Sequence, residues 1–280
     1  MRQHIQGIDH LVLVVRDLDA ARASFARMGF TVTPRGFHTV GSQNHCVMFG
    51  RDYIELLFSP EENPHPSRRY YTEFAARGDG LAGIALQSRN AKGAYTELLW
   101  AGFRPADPLE FSRPVELAEG RREAKFRITQ PAPGSTPGGR VFVCEHLTRE
   151  LVWRPEHQRH ANGATGLAAV AIVCDDVAHT ARPYERLLDT QAKRIAEGLL
   201  VETGGAPIAF VTAQSLGERL PGVRLSARPA PVMAAVFIRV PDREAAAATL
   251  AGGGLKPARM PDGSFALGAD VAHGVAVVFG

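Results

Sequence analysis

The chain has 280 residues, 45% of them apolar and 22% charged, a composition that fits a folded globular protein of one large domain or two smaller ones. A net charge of +3, from 32 basic and 29 acidic residues, is too balanced for a nucleic-acid binder. The basic pair Arg121 and Arg122, near Glu116 and Glu123, reads as mixed solvated loop. No run of about 18 apolar residues occurs, which excludes a membrane-spanning helix. Cys46, Cys144 and Cys174 form no Cys-x-x-Cys pair and argue against a disulfide framework. With no signal-peptide pattern ahead of Gly7, the expected setting is a reducing cytoplasm.

The first predicted strand is Gly7 to Val14, followed by a helix whose apolar positions Leu18, Ala21, Phe25 and Met28 lie on one face. Short strands follow at Asn44 to Phe49 and Tyr53 to Phe58. A second strand and helix run from Gly80 to Leu86 and from Ala91 to Trp100, with the stop Gly102-Phe103-Arg104-Pro105. Strands are then predicted at Ala124 to Gln130 and Arg140 to His146, joined by a Pro- and Gly-dense connection placed over a cleft mouth. The pattern recurs. Gly166 to Val173 aligns with Gly7 to Val14 at an offset of 159, bringing Asp17 over Asp176, Phe25 over Tyr184 and Arg27 over Arg186. Ala235 to Val240 repeats the second strand at an offset of 152, and its helix ends at Gly254-Leu255-Lys256-Pro257. A last strand is Val275 to Phe279.

The chain therefore reads as an α+β protein of four βαβββ units, paired into domains 1–158 and 164–280, with a polar, turn-rich linker between them. Paired units of this kind, with Gly7-Ile8-Asp9-His10-Leu11-Val12 in the first strand and Tyr53-Ile54-Glu55-Leu56-Leu57 in the last, resemble the vicinal oxygen chelate superfamily. That group includes glyoxalase I, extradiol dioxygenases, fosfomycin-resistance enzymes and bleomycin-binding proteins. Gly41-Ser42-Gln43-Asn44, Glu145-His146-Leu147-Thr148 and Leu151-Val152-Trp153-Arg154-Pro155 resemble its glyoxalase-like domain proteins. The resemblance covers the first 165 residues well and the rest as fold only. It implies glyoxalase/bleomycin-resistance/dioxygenase-like domains with curled half-barrel sheets, and up to four metal ligands, one from each of four strands.

The residues themselves support a site. Strand alternation places His10 with Ile8, Val12 and Val14, and Glu55 with Tyr53 and Leu57. On one concave surface, an imidazole and a carboxylate suit a divalent metal such as Zn, Fe, Mn, Ni or Co. Elsewhere the pattern departs. Gly83 stands where the second unit would supply its first-strand ligand, and Val152 or Trp153 stands in place of a second Glu. His146 or Glu145 is a candidate third ligand, Glu145 or His45 a candidate acid/base, and His45 a further possible ligand. His10 could equally be a satisfied core histidine. Tyr70, Tyr71 and Phe74 read as helix packing, and Cys46 and Cys144 as small core residues. The second half lacks the set: Ala169 replaces His10, and neither Pro207 to Val211 nor Val275 to Phe279 carries a Glu. It is expected to buttress the first half or to supply a homodimer surface.

The expected function is thus a metal-dependent isomerase or lyase acting on a small organic substrate in the N-terminal half-barrel. The alternatives are a metal-independent binding protein of the bleomycin-resistance type and a dioxygenase of the superfamily. Neither a nucleic-acid nor a membrane partner is expected.

Overall fold

The computed structural model describes residues 2–62, 65–118 and 120–280. The first unit is β1 (Ile8–Val14), α1 (Leu18–Arg27), β2 (Gly36–Phe37), β3 (Gln43–Met48) and β4 (Tyr53–Phe58). A short helix, α2 (Arg69–Ala75), leads to the second unit: β5 (Gly80–Ser88), α3 (Ala91–Trp100), β6 (Ala106–Leu117), β7 (Gly120–Gln130) and β8 (Arg140–His146). The third unit is β9 (Gly166–Val173), α4 (Val177–Leu188), β10 (Lys193–Ile195), β11 (Gly198–Val201) and β12 (Ile208–Val211). After α5 (Ala213–Arg219), the fourth is β13 (Val232–Arg239), α6 (Arg243–Gly252), β14 (Ala258–Arg259), β15 (Phe265–Leu267) and β16 (Ala276–Phe279).

Each unit starts its helix by the same chemistry. Asp17, Asn90, Asp176 and Asp242 cap α1, α3, α4 and α6, each side chain accepting from a backbone N–H three residues on. The expected stops at Gly102 and Gly254 adopt positive φ, +76° and +74°, which a side chain would resist. Below the helices lie two eight-stranded mixed sheets. One runs β2-β3-β4-β1-β5-β8-β7-β6, and the other β10-β11-β12-β9-β13-β16-β15-β14. In each, two units meet through one antiparallel central pair, β1 with β5 and β9 with β13.

The first sheet curls further than a half-barrel. Its two edges approach, where Thr39 N–H donates to Ser112 O (2.9 Å) and Ser112 N–H donates to Thr39 Oγ1 (3.1 Å). The segment read as solvated loop around Arg121 is instead the tip of a long hairpin, with β6 opposite β7 from Ala106 to Gln130. Periodicity missed β6 because its residues are half-buried on both faces and include Pro114, which an edge strand tolerates.

The two sheets pack into one core. Leu11, Leu13, Ile54 and Leu56 from the first sheet form a continuous cluster with Val170, Ile172, Ile208 and Phe210 from the second. Polar ties cross the same boundary. Gly7 N–H donates to Thr203 O (2.6 Å), Leu167 N–H to Asp52 Oδ1 (3.0 Å), and Tyr184 Oη–H to Pro137 O (2.6 Å). The connecting segment is likewise packed rather than free: Asn162 is fully buried, and its side-chain amide donates to Met28 O (2.9 Å). Among the described residues no helix is long and apolar enough to cross a membrane.

Candidate active site

The concave face of the first sheet holds Val12, Val14, Cys46, Tyr53, Phe126, Phe142 and Cys144 as a separate apolar cluster. Set into it is a buried polar group that begins with a fault in β1. Ile8 pairs with Leu86 and His10 with Ala85, so Asp9 is an extra residue with no partner on β5. The resulting bulge lets two consecutive side chains reach one another, where a regular strand would send them to opposite faces. Asp9 Oδ2 lies 2.7 Å from His10 Nδ1 and 2.9 Å from His146 Nε2. Burial pushes the Asp9 carboxyl up. The charges and hydrogen bonds of the two imidazoles more than offset this, so it is held below the usual carboxylate range. An ionised carboxylate only accepts, so both facing ring nitrogens carry hydrogen.

This fixes His10. Its Nδ1–H is committed to Asp9, its ring stacks on Tyr53 (centroids 4.4 Å apart), and its Nε2 faces Glu55 Oε2 at 3.7 Å. Glu55 is anchored in turn by the Asn44 side-chain amide, which donates to its Oε1 at 2.6 Å. His38 Nε2 is 3.9 Å from the same oxygen, and its Nδ1 is 3.0 Å from Ser42 Oγ. Burial, then the nearby Arg68 and Arg113, pulls His38 well below the ordinary histidine range and keeps it neutral. The Gly41-Ser42-Gln43-Asn44 stretch thus has a local meaning. Gly41 turns the chain at φ +85°, Ser42 holds His38, and Asn44 holds Glu55.

The expected residues divide. His10 and Glu55 meet in one cavity, as alternation requires, with Arg68, Arg113, Arg140, Tyr71 and Phe111 in its walls. His146 is also on the concave side but meets His10 through Asp9, at the ring edge opposite Glu55. His10, Glu55 and His146 therefore do not converge on one point. Glu145 and His45 are not brought to the site. Glu145 faces outward, where its Oε2 accepts from Ala91 N–H (2.9 Å) and Arg127 Nη1 (3.0 Å). His45 follows Asn44 on the opposite face, with Nδ1 2.7 Å from Thr33 O. The last strand of the second unit is β8, so the place of a second Glu falls at Phe142 or Cys144, beyond which Val152 and Trp153 lie outside any strand.

Sequence reasoning passed over Asp9, although a carboxylate inside an otherwise apolar strand carries a burial cost that demands a partner. It also read Cys144 as inert. One donor atom each from Asp9, Cys144 and His146 lies within 4.8 Å of the others, a set able to hold a metal ion. Asp9 Oδ1 and His146 Nδ1 are buried there without a hydrogen-bond partner. Burial, and then the charges of Asp9 and Glu55, raises the Cys144 thiol well above its ordinary range, so it is neutral unless a cation takes the proton's place.

Residues 8–188 match the family model of the glyoxalase-like domain. Among solved structures, a hypothetical protein from Staphylococcus aureus is similar over 98% of both chains (TM-score 0.68, 12% identity). A mutant of 4-hydroxymandelate synthase from Streptomyces coelicolor is similar over 92% of this chain and 78% of its own (TM-score 0.57, 16% identity). A xylose isomerase-like TIM barrel/4-hydroxyphenylpyruvate dioxygenase fusion protein matches 92% of this chain with 40% of its own (TM-score 0.56, 13% identity). No curated protein matches the sequence. With nearly two-thirds of its length under one family model and the same fold in these structures, the chain belongs to the glyoxalase-like domain family of the vicinal oxygen chelate superfamily.

Proposed function

We propose that the protein is a divalent-metal-dependent enzyme of isomerase or lyase type, acting on a small organic substrate in the N-terminal barrel. The observation that carries this reading is the buried carboxylate of Asp9, joined to two imidazoles and adjacent to Cys144 on the wall of the cavity. The residues fit a metal: Asp9 Oδ1 is a buried acceptor without a partner, one donor atom each from Asp9, Cys144 and His146 lies within 4.8 Å of the others, and mixed N, O and S donors suit zinc or a neighbouring transition ion. Asp9, Cys144 and His146 would hold it, and when bound it would polarise a carbonyl and stabilise developing negative charge.

The protein's own groups supply proton transfer. Asp9 holds the His10 ring in the tautomer that presents Nε2 to the cavity and stabilises the imidazolium formed when that nitrogen accepts a proton. Glu55, fixed by Asn44, is the second carboxylate within reach of the same substrate. Tyr53, Phe126 and Phe142 exclude water around both. Elemental analysis of protein purified without chelators tests the reading. We expect close to one transition ion per chain in the wild type and its loss in Asp9→Asn. Wild type carrying under about 0.1 ion per chain overturns it.

A second reading, ligand sequestration without a metal, draws on the aromatic lining of the cavity. It predicts tight binding of aromatic ligands to metal-stripped protein, unaffected by Asp9→Asn.

A further inference from the structure

Three guanidinium groups line the cavity that contains His10 and Glu55: those of Arg68, Arg113 and Arg140. Among the described residues none of the three forms an ion pair within 4 Å. Among the described residues lining the cavity, Glu55 is the one carboxylate, and its Oε1 already accepts from Asn44. Cationic side chains therefore outnumber available anions inside a largely enclosed site.

Arg68 is the sharpest case. It is only 6% exposed, and its Nε is buried with no hydrogen-bond partner. Its guanidinium lies over the rings of Phe111 and Tyr71, at 5.2 and 5.8 Å from their centroids. Burying a guanidinium with no carboxylate within 4 Å is unfavourable unless something offsets it. Arg68 is the last residue of a 3-10 turn (Pro66–Arg68) leading directly into α2, so the backbone delivers it to this position. Arg140 is placed beside it. Its guanidinium donates to Gln130 Oε1 and to Ser67 O and stacks 5.0 Å from the Tyr71 ring. Arg113 lies against Gly36, where an added Cβ would come 3.1 Å from its Cδ. Ring stacking covers the faces of the Arg68 and Arg140 guanidiniums, and Gln130 and Ser67 take two of the Arg140 donors, but the Arg68 Nε–H is left without an acceptor.

We infer that the substrate carries an oxyanion, a carboxylate or a phosphate, and that this group is seated against Arg68, Arg113 and Arg140. Planar guanidinium groups match such oxygens in pairs. This deepens the proposed function by naming the substrate class, but the oxyanion seat does not depend on the metal.

Calorimetric titration of phenylacetate, phenyl phosphate and the neutral isostere phenylacetamide into the full-length protein tests it, before and after removal of metal with a chelator. At least one oxyanion is expected to bind about 10-fold or more tightly than the amide. Which of the two wins identifies the oxyanion. Arg68→Met, which keeps the ring contacts, should abolish the preference, leave amide binding intact and raise the thermal midpoint of the free protein. The preference should survive metal removal. Equal binding of amide and oxyanions, no binding of any probe at millimolar concentration, a preference that persists in Arg68→Met, or one lost only with the metal would each overturn the inference. A metal-bearing wild type without the preference sinks the oxyanion seat alone. A preference in protein that never carries metal sinks the metal reading alone.

Discussion

The two halves of the molecule share a scaffold down to its irregularities. In β1 the bulged residue is Asp9; in β9 it is Ala168, the residue aligned with it at the offset of 159. In β5 the register slips at Ala82, and in β13 at Ala234, its counterpart at the offset of 152. Glu55 sits on β4 opposite Val12, and Ala209 sits on β12 opposite the equivalent Ala171. Arg140 pairs with Gly83 as Ala276 pairs with Ala235. The concave face of the second sheet is accordingly lined by Ala168, Ala169, Ala171 and Ala209. The bulge therefore belongs to the fold, and the chemistry depends on which side chain occupies it. The distorted strand is common to both halves; only in the first does it carry a buried acid joined to two imidazoles.

The most disruptive way to test that contrast is to make the first half resemble the second. Asp9→Ala leaves two buried imidazole N–H groups without an acceptor and should cost about 3 to 5 kcal/mol of stability, read from urea unfolding. A loss below about 1 kcal/mol would show that the carboxylate is not needed by its neighbours. Asp9→Asn keeps the shape, and under the metal reading should weaken binding enough to lose the ion on purification, with the affinity read by chelator competition. His45→Ala and Glu145→Gln, on the other face, should leave that affinity unchanged.

A third test asks how firmly the halves are tied. Burial raises the Asp52 carboxyl to about 6, against the opposing effect of its hydrogen bond from Leu167 N–H. Because the folded value lies above the unfolded one, ionising Asp52 opposes folding. The penalty is absent below about pH 4, grows towards pH 6 and is complete above it, at about 1 to 3 kcal/mol. Asp52→Asn should flatten that part of the stability profile, and an unchanged slope would count against this origin. The smallest effect is expected from the converse graft. Ala168→Asp with Ala169→His places the pair on half-exposed positions and should change stability by no more than about 1 kcal/mol. It should confer no metal binding, since by the same pairing Gly280 stands in the place of Cys144.

Much of this was legible in the sequence. The fourfold repeat and the concave pairing of His10 with Glu55 follow from periodicities of 2 and 3.6, and the helix stops from the placement of glycine and proline. The exceptions share a cause: they depend on register. Alternation says that Glu145 and His146 point apart but not which one points inward, and it fails outright at Asp9, where the bulge breaks the count. His38, Arg68 and Arg113 reach the cavity from the loop after β2, a turn and an unrecognised hairpin, none of which carries a hydrophobic period to read.

The single core between the sheets bears on inheritance as well as stability. Two duplicated halves that each buried their own interior could be separated by recombination, and a half that lost its chemistry could be deleted. Here Leu11 and Ile54 share an interior with Ile172 and Phe210, so removing either half would strip the other of its inner wall. Selection can relax on the alanine-lined sheet's reactivity while still holding its shape. A copy without chemistry would then persist because its sibling cannot fold without it.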